Sequence, residues 1–311
     1  MQNDTILETI DPEIVDRLVS RRDAIRQGAT VSSGVAAALA LGSVPVALAV
    51  LSREAKAQTS TVLDVLNFAL ALEIFENEFY KAVLGTSSSA AQNTAFAPVR
   101  GLAGAVPTAV ATLQQIQKHE AAHVATLMGA GATNVFSLTA ASFDFTGNRG
   151  VGGPGPFAAA TTDLAFLLTV AQGAEDTGVR AYKGQAGNLM SNTAVLETAL
   201  RIHSVEARHA SKIRRMRRIA AGAPDTVRFS GTVRGGGAGA AGATGSPSAA
   251  VVAAFGLIYA GEDTTNQGGV NILTLAGANF GTDAATEAFD EPLTRAQVVA
   301  IVQPFVIPTI A

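Results

Sequence analysis

The chain has 311 residues, 48% of them hydrophobic and 15% charged, so it is long enough to bury a substantial core. Its net charge of −3 argues against nucleic acid and against an anionic membrane surface as partners. The chain has no cysteine, which excludes disulfide bonds, thiolate metal sites and cysteine nucleophiles. Any metal ligands must therefore be carboxylates or histidines, and the four histidines are His119, His123, His203 and His209.

Residues 1–57 have the layout of an export signal. Arg21 and Arg22 precede an uncharged, weakly hydrophobic run at 28–51, and an Ala-x-Ala sequence at 55–57, of the kind that signal peptidases favour, follows it. This layout resembles a twin-arginine signal cleaved after Ala57, which predicts a periplasmic or other extracytoplasmic location. Two alternatives stay open: an uncleaved membrane anchor, because a run of this length can span a bilayer, and an ordinary buried helix.

Residues 59–85 are predicted to form the first of four long helices. Apolar residues recur at three- and four-residue spacing over most of its surface, which is typical of a buried helix. Glu73 lies within one apolar stripe, and Tyr80 follows seven residues later on that stripe. Because an unpaired buried ion costs several kcal/mol, Glu73 needs a partner. Glu76 and Glu78 are nearby alternatives that lack this spacing to Tyr80.

The second helix is predicted over residues 107–129, after a loop at 85–107. Its apolar stripe contains Glu120 and His123, and their spacing places both side chains on one face of the helix. His119 lies off that stripe and is predicted to face solvent.

A long connection rich in glycine, proline and threonine follows at 129–157. Such a connection is uncommon inside a compact domain, but a four-helix bundle with one crossover between its second and third helices requires it. The third helix, at about 158–188, repeats the pattern of the first. Glu175 lies on an apolar face and Tyr182 follows seven residues later.

The fourth helix, at about 192–221, repeats the pattern of the second. Glu206 and His209 form its Glu-x-x-His on an apolar stripe. Its basic end is interpreted as a set of solvated cations near a helix C-terminus. These cations are Arg214, Arg215, Arg217 and Arg218.

The composition changes after residue 223. A glycine- and alanine-rich linker is predicted at 235–245, a short helix at 247–260 and a capped final helix within 289–298. We interpret this region as an arm packed on the bundle. The predicted organisation is a signal peptide at 1–57, a four-helix bundle at 58–223 and a C-terminal extension at 224–311.

The four helices together predict a two-metal carboxylate site. Each element alone is a weak signal, but here four of them lie on apolar stripes of successive helices. Two divalent cations would match the charge of the four carboxylates, and carboxylate with imidazole suits iron or manganese. The candidate ligands are Glu73, Glu120, His123, Glu175, Glu206 and His209.

This ligand order resembles the ferritin-like di-iron carboxylate superfamily. The segments at 66–73, 76–80, 259–263 and 289–293 are similar to its bacterial members related to plant desiccation-related proteins. The resemblance implies an all-α, ferritin-like four-helix bundle with a long crossover between helices 2 and 3 and a mostly irregular C-terminal arm. It implies that Glu73 and Glu175 are terminal ligands, one on each metal, and that Glu120 and Glu206 bridge the two ions. It also implies that His123 and His209 each cap one ion, and that Tyr80 and Tyr182 orient carboxylates by hydrogen bonds.

The resemblance also implies a function. The leading hypothesis is a centre of two iron ions that reacts with dioxygen or peroxide, in ferroxidase- or peroxidase-type chemistry for iron handling or oxidative-stress protection. An external electron donor would be needed, and a homo-oligomer is possible. The alternatives are a di-manganese catalase-like enzyme and a structural or protective, desiccation-related envelope protein with a non-catalytic metal. A cage-forming iron store is disfavoured, because the long arm could block assembly.

Overall fold

The computed structural model describes residues 60–106, 108–220, 248–275 and 281–310. The predicted signal at 1–57 and the predicted linker at 235–245 lie outside these residues. Within these described ranges, six α-helices precede the arm, and they are α1 (Ser60–Leu84), α2 (Ala90–Ala95), α3 (Ala97–Gly104), α4 (Ala109–Gly129), α5 (Leu164–Gln185) and α6 (Thr193–Ala220). None of the helices in the described ranges combines the length and apolar composition of a transmembrane span.

The four long helices pack as two hairpins, α1 against α4 and α5 against α6. In the first hairpin, Gln117 donates a 2.9 Å hydrogen bond to Asn77, and the backbone N–H of Thr133 donates one of 2.8 Å to Asn67. The later residue of α1, Asn77, thus contacts the earlier partner, Gln117, and the earlier residue, Asn67, contacts the later partner, Thr133. The two helices therefore run in opposite directions. The prediction of an all-α four-helix bundle is confirmed.

The helix boundaries differ from the predicted ones in two places. The predicted loop at 85–107 contains α2 and α3, where Ser89 caps α2 by accepting from the N–H of Gln92. The third long helix begins at Leu164, because Asp163 caps it by accepting from the N–H of Phe166. The preceding turn, Ala158–Thr161, is a 3₁₀ helix.

The crossover between α4 and α5 is ordered because its aromatic residues enter the core. The ring of Phe145 packs edge-on against Phe79 of α1, with centroids 5.4 Å apart. Phe143 forms an antiparallel bridge with Val306, and the N–H of Asp144 donates to the carbonyl of Phe305 at 2.9 Å. The crossover is therefore held between the first helix and the end of the chain.

The described part of the C-terminal arm (248–275 and 281–310) has short elements joined by irregular segments. They are α7 (Ala249–Ile258), β1 (Asn266–Gln267), β2 (Val270–Asn271), α8 (Gly281–Glu287) and α9 (Arg295–Val302). The predicted short helix at 247–260 and the predicted cap are present, since Thr294 and Gln297 form a capping box at the start of α9. The prediction of a mostly irregular C-terminal arm is confirmed.

Arg180 of α5 holds this arm on the bundle. Its side chain is 2% exposed and donates to the carbonyl of Ala260 and the carbonyl of Glu291, both at 2.6 Å, and also to the carbonyl of Ile258. Glu262 balances its charge at 3.1 Å. One buried guanidinium therefore gathers two separate stretches of the arm, because its planar fork offers five donors.

The basic end of α6 is not simply a solvated face. Arg214 donates to the buried carboxylate of Asp176, and Arg217 donates to the amide oxygen of Gln172 at 2.5 Å. Tyr259 of the arm donates to the same Asp176 at 2.6 Å. These arginines therefore tie α6, α5 and the arm together, which corrects the interpretation from sequence.

We expect Arg180→Ala to lower the free energy of unfolding by about 3–5 kcal/mol, because it removes the cation that faces buried Glu262 and the side-chain donor of three carbonyls. Arg201→Ala is the matched control, since Arg201 is 59% exposed in its pair with Glu197 and should change stability by about 0–1 kcal/mol. Urea unfolding measures both. Equal effects of the two substitutions would contradict the anchoring role of Arg180.

Candidate metal centre

The structure brings all six predicted ligands together inside the bundle. They form two groups, and both groups contain Glu120 and Glu206. Glu73 and His123 complete the first group. Glu175 with His209 completes the other. Within each group, one ligand atom per residue lies within 4.8 Å of the others. All four glutamates are 0% exposed, and the two histidines are 8% and 4% exposed.

The imidazole of His123 points its Nδ1 atom at three carboxylates. This nitrogen lies 3.0 Å from Glu73 Oε2, 3.0 Å from Glu120 Oε2 and 3.1 Å from Glu206 Oε1. Glu120 and His123 lie three residues apart on α4, so one helix face presents both. Nδ1 is therefore the atom of His123 that is available to a metal ion.

His209 occupies the corresponding place in the second group. Its Nδ1 atom lies 2.9 Å from Glu120 Oε1 and 3.2 Å from Glu175 Oε2. The two groups thus show an approximate internal symmetry, since each takes one glutamate and one histidine from its own helical hairpin and shares Glu120 and Glu206. This symmetry follows from the repeated order of residues along the chain.

The two predicted tyrosines form hydrogen bonds from one hairpin to the other. Tyr80 on α1 donates to Glu175 on α5, and Tyr182 on α5 donates to Glu73 on α1 at 2.5 Å. Each hydroxyl leaves the other carboxylate oxygen free to face the centre. The tyrosines therefore orient the two outer carboxylates, as is usual for groups that surround metal ligands.

The middle of the centre suits cations. Glu120 Oε1 and both oxygens of Glu206 are buried without a hydrogen bond, although Nδ1 of a histidine lies near two of them. Within the described residues, no lysine or arginine contacts these carboxylates. Buried charges are tolerated when they are paired or bind a metal. The oxygen and imidazole donors fit iron or manganese.

Without a metal, protons hold the centre together. Burial raises the pKa of Glu120 to about 7, although the adjacent imidazoles of His123 and His209 oppose this shift. For His209, burial disfavours the charge, but the adjacent carboxylates of Glu120 and Glu175 outweigh burial and raise the pKa to about 10. A metal ion must therefore displace protons to bind.

His119 does not simply face solvent, which corrects the prediction. It is half-buried, and its Nδ1 lies 2.9 Å from Nε2 of His209, with the rings nearly parallel at 10°. With Nδ1 of His209 bound to a metal, Nε2–H would donate to His119 and fix the tautomer. Periodicity could not reveal this contact, because His119 reaches across to a residue of another helix.

A cleft between α4 and α6 leads to His209. Its volume is about 370 Å³. The cleft is lined by Thr108, Ala111, Thr112, Gln115, Ile116, His119, Val205, Arg208, His209 and Lys212. The centre is thus reached from the second and fourth bundle helices, whereas the ligands on α1 and α5 are fully covered.

A fifth carboxylate, Glu76, also lies buried at this level of α1. Its side chain is 3% exposed, and burial together with the charges of Glu206 and Glu175 raises its pKa well above the usual range. Glu78, the other nearby acid, pairs instead with Lys81 at 2.7 Å and lies outside the centre.

We expect Glu120→Ala or Glu206→Ala to abolish binding of the pair of ions, because each carboxylate belongs to both groups. Glu78→Ala is the matched control and should retain wild-type metal content. Metal analysis of the dialysed protein measures the stoichiometry. Retention of two ions by either variant would show that the ligand assignment is wrong.

Metal affinity should fall as the pH drops below about 7, because Glu120 is then protonated. It should keep rising toward pH 10, since His209 carries a displaceable proton up to its raised pKa of about 10. Calorimetric titration at pH 7 in buffers of different ionisation enthalpy should show proton release on binding. Binding without proton release would contradict this description.

Comparison with known proteins agrees with this geometry. A family model described as the ferritin-like domain matches residues 61–218, which contain all four long helices except the outermost residues of α1 and α6. A search of curated proteins and a search of solved structures found no match. The family match covers half of the chain and contains every candidate ligand. The chain therefore belongs to the ferritin-like domain family.

Proposed function

We propose that the protein binds two iron ions at this centre and that the loaded centre reacts with dioxygen or peroxide. The observation that carries the proposal is the pair of buried ligand groups joined by Glu120 and Glu206. A single structural ion would need only one group. Two groups with shared carboxylates suit a reaction in which two adjacent ions act together.

The chain supplies the surroundings for this chemistry. Bound ferrous iron would provide the electrons that reduce the oxidant. The carboxylates hold the ions and favour the more highly charged ferric state, since hard oxygen donors prefer hard cations. Tyr80 and Tyr182 orient the outer carboxylates, and those carboxylates, Glu73 and Glu175, are fully buried.

The cleft between α4 and α6 supports a reactive centre over the structural, desiccation-related alternative. A metal held only for stability does not need a passage that ends at one of its ligands. Among the described residues that line this cleft, the charged side chains are Arg208 and Lys212, and none is a carboxylate. A lining with two positive charges and no carboxylate favours the entry of a small neutral oxidant over the entry of ferrous ions. This lining therefore favours peroxidase-type chemistry over iron storage.

Manganese is a second candidate metal, because the same carboxylate and imidazole donors suit it. A di-manganese centre would make the protein catalase-like. We further propose export by the twin-arginine route, on the basis of Arg21, Arg22 and the run at 28–51, which lie outside the described residues. That route carries folded proteins, so the centre could be loaded before export.

The direct test is anaerobic loading with ferrous iron followed by rapid mixing with dioxygen or hydrogen peroxide. We expect stoichiometric ferric absorbance within the first turnover. Loading with manganese and following oxygen release from peroxide tests the catalase-like variant. Tight metal binding with no reaction toward either oxidant would contradict the proposal and support the structural alternative.

Ala111→Phe should slow the reaction with peroxide by about tenfold, which corresponds to about 1.4 kcal/mol in the barrier, because the ring would occupy the cleft. Metal stoichiometry should not change. Ala122→Phe is the matched control, since Ala122 lies on α4 and is exposed outside the cleft. Stopped-flow absorbance measures both rates. Equal rates for the two variants would show that the oxidant does not enter by the cleft.

A further inference from the structure

Glu76 is a buried acid that the six-ligand centre does not use. It is 3% exposed, and the charged groups that act on it most strongly are four other carboxylates, Glu206, Glu175, Glu120 and Glu73. It lies one helical turn after Glu73, so both side chains share the inner face of α1. An acid in this setting needs a proton or a metal ion, because an uncompensated buried charge costs several kcal/mol.

The approximate symmetry of the bundle shows what is unusual about this position. Glu73 and Tyr80 on α1 correspond to Glu175 and Tyr182 on α5, with the same spacing of seven residues. The residue of α5 that corresponds to Glu76 is therefore Gly178. One hairpin carries an additional carboxylate where the other carries no side chain at all.

The absence of a side chain at Gly178 makes room for Glu76. A Cβ atom built at Gly178 would lie 3.2 Å from Glu76 Oε1 and 3.3 Å from Glu206 Oε2. Both oxygens thus face the same space beside α5. Glycine within a helix costs about 1 kcal/mol relative to alanine, and the space it leaves lets Glu76 approach a shared carboxylate of the centre.

We propose that Glu76 is a seventh protein ligand of the metal pair, beside Glu206 Oε2 and thus for the ion of the Glu175 and His209 group, and that the two metal positions therefore differ in ligand number. The inference rests on the proposed pair of ions. Glu206 Oε2, the oxygen that faces the same space as Glu76, is buried without a hydrogen bond, as expected where a cation replaces a proton as partner. A fifth carboxylate would add negative charge on one side only, so the two ions should bind with unequal affinity.

Titration of the full chain with manganese(II) tests this inference, with calorimetry and the electron paramagnetic resonance of free manganese as readouts. The wild type should bind two ions in unequal steps. Glu76→Gln keeps the size of the side chain and should weaken one step by about tenfold or more, the loss that changes around a metal ligand commonly cause. Glu78→Gln, a change of the same kind on the same helix, should bind as the wild type does.

Gly178→Ala provides an independent test, because its methyl group would press on Glu76 Oε1 without removing a carboxylate. It should weaken the same step. Unchanged affinities in folded Glu76→Gln would overturn the inference while leaving the metal pair intact. If Glu76→Gln does not fold, unchanged affinities in Gly178→Ala would overturn it. A wild type that binds no manganese or iron would instead defeat the proposed function itself.

Discussion

The structure depends on the compensation of buried negative charge. Four helices turn carboxylates toward a common interior, and each of these acids would be costly if it were left alone. Two imidazoles and two tyrosine hydroxyls provide some partners, yet three carboxylate oxygens on Glu120 and Glu206 accept no well-aligned hydrogen bond. The folded bundle is stable only if cations or protons compensate the negative charge of those acids.

The ligand set could be predicted because its signals are local. The three-residue spacing of Glu120 and His123, and of Glu206 and His209, is a property of one helix at a time. The repeated order then shows that equivalent faces meet. The long crossover could be anticipated for the same reason, since the second and third helices of such a bundle cannot be joined by a short loop.

What the sequence could not predict involves contacts between distant residues. His119 lies off the apolar stripe of α4, and only the packing of α4 on α6 brings it to His209. Arg180 donates to carbonyl groups of the arm that lie 78 and 111 residues later in the chain. Glu76 lacks the spacing that marked Glu73, and the space left by Gly178 is visible only once α5 lies beside it.

The most direct test is a crystal structure of the protein loaded with iron, with anomalous diffraction data collected at the iron edge. The account predicts two anomalous peaks inside the bundle, one in contact with Glu73 and His123 and the other with Glu175 and His209, with Glu120 and Glu206 between them. A single peak, peaks at the surface alone, or acids turned away from the interior would contradict it.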